Sequence, residues 1–85
     1  MDFQKRFASN LARCRKRAGI SQEALADRAS VHRTEVGLFE RGKRIPRADT
    51  LVKVAGGLGV PPSELLEGIA WKPGGGGDPG AFEFS

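Results

Sequence analysis

Apolar residues return along the first part of the chain in the rhythm of a helix. Phe3, Phe7, Leu11, Cys14 and Ala18 are spaced 4, 4, 3 and 4 apart, which predicts one buried face on a helix over residues 2–18. Arg13, Arg15, Lys16 and Arg17 crowd its last turns, where cations suit the helix dipole. Gly19 is a good residue to end it, and Ile20 can fold back onto the core. Ser21 can cap a second, short helix in which Leu25, Ala26 and Ala29 share one face. Ser30-Val31 breaks that pattern, and a third helix starts near His32 with only Val36 and Phe39 turned inward. A fourth is expected over residues 48–58, with Leu51, Val54, Ala55 and Leu58 at i, i+3, i+4 and i+7. Gly56-Gly57 weakens it by about 1 kcal/mol per glycine relative to alanine. Gly59 ends it. Pro61 and Pro62 then open a last short helix, Leu65 and Leu66 cover the core, and Gly68 stops the bundle.

Residues 69–85, IAWKPGGGGDPGAFEFS, change character. The stretch PGGGGDPG reads as a flexible linker unable to nucleate a helix. On either side Ile69 with Trp71, and Phe82 with Phe84, alternate as strand residues do. Two readings stand side by side: a loose hairpin, which the eight linker residues slacken, and a disordered tail. An exposed Trp and two Phe in a solvated extension are unusual, so Trp71, Phe82 and Phe84 are expected to meet a partner surface. The second subunit of a dimer is the first choice.

The stretch from Ser21 to Gly42 is the centre of the chain. Its third helix rests on a narrow apolar stripe and leaves polar residues near its N-terminus free, which suits insertion into a DNA major groove. The pattern SQExLAxxAxVxRTxVxxxERGKRxP resembles the helix-turn-helix of the phage-repressor-like (Xre-type) DNA-binding family. That resemblance covers all five helices in residues 2–68. It implies an all-α, five-helix lambda-repressor-like domain, 1–68, with its motif at 21–42, followed by the Gly-rich tail, 69–85. Ala26 falls where that family's two motif helices approach most closely. Ser30 stands where the family often has glycine, and a positive φ there would cost strain.

The resemblance also implies roles. Gln22 matches a position that contacts the DNA backbone. His32, Arg33 and Thr34 match the groove-facing start of the recognition helix, and Leu38 a position one turn on that can touch a thymine methyl. Arg33 is suited to bidentate reading of guanine, with a phosphate clamp as the alternative. Glu35 can accept from a cytosine amino group, steer Arg33, or face solvent. Gly37 lacks a side chain where the family often carries a polar one, which would allow a closer approach. Arg41, Lys43 and Arg44 fall in a basic loop suited to phosphate. In the family an arginine at position 15 pairs with the glutamate matching Glu40; the alternative is a solvated Arg15.

Charge agrees with this reading. Residues 1–47 hold 12 Lys and Arg against 5 Asp and Glu, whereas residues 48–85 hold 2 against 5. A basic first half in a chain of net charge +4 points to a polyanionic partner. Eighty-five residues allow one core, and 39% apolar with 28% charged residues is ordinary for a globular chain. No apolar run reaches membrane-spanning length, and the single Cys14 fits a reducing cytoplasm and a place in the core. One Cys and one His do not make a zinc site, and the glycine run lacks the Lys-Ser/Thr of a phosphate-binding loop. No nucleophile is arranged with His32. The expectation is therefore a cytoplasmic transcription regulator, not an enzyme, with no metal or cofactor. Its partner is palindromic double-stranded operator DNA, bound as a homodimer. The alternatives are an antitoxin-like protein with a protein partner and a restriction–modification controller, which HRT followed by ERGKR resembles.

Overall fold

The computed structural model describes residues 1–85. Five helices follow one another: α1 (Phe3–Ala18), α2 (Gln22–Ala29), α3 (Arg33–Glu40), α4 (Ala48–Leu58) and α5 (Pro62–Leu65). Two strands, β1 (Ile69–Lys72) and β2 (Ala81–Phe84), close the chain. Asp2 and Ser21 cap α1 and α2, accepting from the backbone N–H of Lys5 at 2.8 Å and of Ala24 at 3.0 Å. The inward stripes meet in one core of Phe7, Leu11, Cys14, Leu25, Ala26, Ala29, Val36, Phe39, Val54, Ala55, Leu58 and Leu65. Ala18, expected to continue the α1 stripe, is exposed at the end of the helix.

Two small-residue positions let the helices close up. Ala26 is buried on α2. Gly57 of α4 is the other: a Cβ there would lie 3.1 Å from Leu25 Cδ1 and 3.3 Å from the Ala29 backbone nitrogen. The glycine that weakens α4 as a helix is thus what seats it against α2. Asn10 is the one fully buried polar side chain in the bundle. Its Nδ2 donates to the carbonyls of Leu65 at 3.1 Å and Glu67 at 3.0 Å, groups that the short α5 leaves unpaired at its end.

The tail is a hairpin with a defined register. Ile69 pairs with Phe84, Ala70 with Glu83, Trp71 with Phe82 and Lys72 with Ala81. The expected slack linker is folded instead. Gly75 and Asp78 exchange two backbone hydrogen bonds of 2.9 Å, and Gly76 and Gly77 between them have φ of 56° and 93°. Two central residues at positive φ are the turn that matches strand twist, and the glycines are the means of reaching it. The hairpin folds back on its own chain. Phe82 packs on Phe3 of α1 with centroids 5.2 Å apart, and the Arg6 guanidinium sits over Phe84 while donating to the Ser85 carbonyl.

The turn of the motif carries local strain. Ser30 has φ 55° and ψ 44°, the sole non-glycine residue at positive φ. It is held there by its own N–H on Asp27 O and by the Val31 N–H on Ala26 O at 3.0 Å, the double closure of a helix C-terminus. Helix α3 is fixed from the other side by α1. Arg15 donates through Nε to Glu40 Oε2 at 2.6 Å and through Nη2 to Glu40 Oε1 at 2.9 Å, with Nη1 on the Ile20 carbonyl at 2.9 Å. The side chains of this pair are 14% and 7% exposed, so it is shielded from the screening that empties surface pairs of value.

Two stability outcomes follow. Ser30→Gly should raise stability by about 0.5–1 kcal/mol, the left-handed strain relieved less the entropy that glycine adds to the unfolded chain. Arg15→Ala should lower it by about 3–5 kcal/mol, because Glu40 is left buried without its partner. Urea midpoints of the three proteins measure both, and a midpoint for Arg15→Ala equal to that of the parent would contradict the shielded pair.

Candidate nucleic-acid interface

Helix α3 turns its apolar stripe inward and its start outward. Val36 and Phe39 are buried, whereas His32, Arg33 and Thr34 are exposed and Glu35 and Leu38 half-buried. His32 is the N-cap residue, but its imidazole makes no capping bond; its carbonyl accepts the Glu35 N–H at 2.9 Å. The side chain is left to solvent. Three residues from one short helix start, His32, Arg33 and Thr34, therefore stand free of the core in a single patch.

Arg33 does have a partner, and it is not Glu35. Its Nη1 donates to Glu23 Oε2 on the first turn of α2 at 2.9 Å, with both side chains about 70% exposed (69% and 71%). An exposed pair of this kind is worth about 0–1 kcal/mol, so it aims the guanidinium and releases it cheaply. Glu35 faces away, lining a shallow recess with Phe39, Arg44, Ile45 and Thr50. Of the three readings open for Glu35, the steering of Arg33 belongs to Glu23 instead. Nothing in the sequence marks Glu23 for this, since the contact spans ten residues and two helices.

Gln22 is half-buried beside the Arg15–Glu40 pair. Its Nε2 donates to Glu40 Oε1 at 3.1 Å, which leaves the amide's second N–H for an outside acceptor. The same carboxylate raises the Arg15 pKa, chiefly through the side-chain hydrogen bond and against the cost of burial. A guanidinium pushed further up stays charged at any physiological pH, so this anchor does not switch.

Beyond α3, Gly42 turns the chain, and the Lys43 N–H bonds back to Leu38 O at 2.9 Å. Arg41, Lys43 and Arg44 are exposed there. Arg13, Arg15, Arg17, Arg33 and Arg47 each pair with a carboxylate, and Arg41, Lys43 and Arg44 do not. Three cations without a carboxylate partner thus stand together at the end of α3. Gly37 is buried, and the space beside it is occupied by the Arg41 guanidinium, so it does not open the helix to a closer approach.

Trp71, Phe82 and Phe84 lie elsewhere, on the hairpin against the start of α1. Trp71 is 54% and Phe82 48% exposed, and Phe84 is half-buried. Phe82 and Phe84 border an open apolar groove of about 670 Å³ with Met1, Phe3 and Ile45. No helix is long and apolar enough to cross a membrane.

Known proteins share this arrangement. The helix-turn-helix family profile matches residues 11–65. The chain is 38% identical over 66 residues to the uncharacterized HTH-type transcriptional regulator y4dJ of Sinorhizobium fredii, 78% of this chain and 86% of that one. It is 36% identical over 69 residues to the control protein C.MunI of a Mycoplasma species, 80% of this chain and 93% of that one. The crystal structure of the restriction-modification controller protein C.AhdI from Aeromonas hydrophila superposes with a TM-score of 0.71 at 35% identity, covering 73% of this chain and 94% of that chain. With its two short helices, αL turn and exposed α3 start, the chain belongs to the Xre-type helix-turn-helix family of DNA-binding transcription regulators.

Proposed function

We propose that this protein is a repressor that binds a palindromic operator as a homodimer and reads each half-site with the start of α3. The observation that carries this reading is the exposed patch of His32, Arg33 and Thr34 on a helix locked from behind by Arg15 and Glu40. A reading helix must not shift when it meets DNA, and a bidentate pair with little solvent access keeps it in place. Arg33 presents its fork to guanine O6 and N7, and Leu38 meets a thymine methyl one turn on. Lys43 and Arg44 hold phosphate oxygens, as does Gln22 through its second amide N–H. One such helix spans too few base pairs for useful discrimination, which is why two copies are required. Trp71 and Phe82 are the apolar surface that the hairpin contributes to that assembly. The hairpin carries Lys72 against Asp78 and Glu83, a poor match for a phosphate backbone, so its partner is protein.

A more specific form of this reading is a controller of a restriction–modification system. It is favoured by the match to C.MunI and C.AhdI, 36% and 35% identical over 93% and 94% of those chains. A methyltransferase gene beside the coding sequence, with the protein bound to the promoter they share, would establish it.

Selection of bound duplexes from a random pool tests the general reading, with two inverted half-sites expected; an unstructured pool of retained sequences would refute it. On the selected site, Arg33→Ala should cost about 1–3 kcal/mol and relax the preference at one base position. Lys43→Ala should weaken selected and random duplexes alike and lower the salt slope by about one unit. Equal losses on both duplexes for Arg33→Ala would make it a backbone clamp. For assembly, the paired change Trp71→Ser with Phe82→Ser should leave the helical signal intact and shift sedimentation from dimer to monomer. A dimer that persists would place the interface on another face.

A further inference from the structure

Gly37 lies on the same line of α3 as Arg33 and Arg41, one turn from each, since residues four apart stack along a helix face. Its neighbours Thr34 and Leu38 are exposed and half-buried, yet Gly37 is buried. The cover is Arg41. A Cβ built on Gly37 would lie 3.0 Å from Arg41 Nη1 and 3.8 Å from its Cζ, and 3.6 Å from Gln22 Oε1. The guanidinium has therefore folded back from the end of α3 into the space that the missing side chain leaves, and it lies beside the amide of Gln22.

Three features show that this is not an internal salt link. No carboxylate pairs with Arg41, although five other arginines of the chain have one. The Arg41 side chain remains exposed while covering the glycine. Gln22, next to it, has one Nε2 hydrogen committed to Glu40 and the other free. The acid bound to Gln22 is Glu40, already paired with Arg15 at 2.6 Å, and Glu23 on the first turn of α2 is paired with Arg33 at 2.9 Å, which reduces the repulsion an incoming anion would meet. The guanidinium fork thus has no carboxylate of its own and borders the Gln22 Oε1, while the same amide keeps one Nε2 hydrogen for an outside acceptor. That set fits the two free oxygens of one phosphate group.

We infer that Gly37 is a positioning residue of the DNA interface: by lacking a side chain it seats the Arg41 guanidinium beside Gln22, so that both side chains grip one backbone phosphate. The inference rests on the DNA-binding reading above and adds to it a role for a residue that touches no DNA. It also divides the cations after α3 into two kinds. Lys43 and Arg44 extend freely from a loop, whereas Arg41 is preset on the helix before DNA arrives.

Gly37→Ala separates positioning from stability. The new methyl group displaces only the far end of a flexible side chain, and alanine favours the helix, so the thermal midpoint should hold or rise. The probe is a random-sequence duplex pool, titrated by fluorescence anisotropy at several salt concentrations against the full chain. Arg41→Ala should weaken binding roughly tenfold at low salt and lower the salt slope by about one unit. Gly37→Ala should reproduce most of that loss, and Gly37→Ala with Arg41→Ala should be no weaker than Arg41→Ala alone. Full affinity for Gly37→Ala beside a weakened Arg41→Ala would overturn the cradle and leave the DNA reading standing. Losses that add in the double variant would overturn it as well. A parent protein that binds no duplex at any salt would remove both.

Discussion

A guanidinium clasped by a carboxylate that water barely reaches decides where α3 points. Arg15 comes from α1, the longest element, and Glu40 from the last turn of α3. Helix α3 is only 8 residues long and offers the core two large side chains, Val36 and Phe39. So small a stripe fixes the helix against sliding out but allows it to roll. The two parallel hydrogen bonds remove that freedom, because a planar fork meets a planar carboxylate in one orientation. Gln22 extends the same network to the first turn of α2. The two helices of the motif are consequently oriented by polar geometry as much as by packing.

Much of this was legible in the residues. Inward positions of helical spacing located four helices and Pro61-Pro62 the fifth, and Ser21 and Gly19 marked a start and a stop that the structure keeps. Ser30 was legible as a site of strain only through the family pattern, and it does adopt the left-handed conformation. What escaped were contacts between residues distant in sequence. The Arg33–Glu23 pair and the Asn10 bonds to α5 depend on how helices cross, which periodicity does not report. Asn10 gave one faint sign, an amide next to Leu11 on the inward side of α1.

The glycines were the residues most easily misread. As propensities, Gly37, Gly56 and Gly57 all weaken helices, and PGGGGDPG looks like slack chain. In three dimensions Gly57 admits α2, Gly37 admits a guanidinium, and Gly76 with Gly77 forms a tight turn. A missing side chain has no sign of its own in the sequence; its meaning depends on what fills the space.

The hairpin has a consequence for how the protein will be seen in solution. Trp71 is the single tryptophan, and its ring stands edge-on to Phe82 at 5.1 Å, half in water. Its emission therefore reports on two short strands and not on the bundle, whose buried aromatics are Phe7 and Phe39. Circular dichroism near 222 nm reports on the opposite part. Followed by both signals, unfolding of this chain becomes two records of two structures. The rings of Phe82, Phe3, Phe7 and Phe39, at successive distances of 5.2, 6.3 and 6.4 Å, are the sole aromatic path by which one record learns of the other.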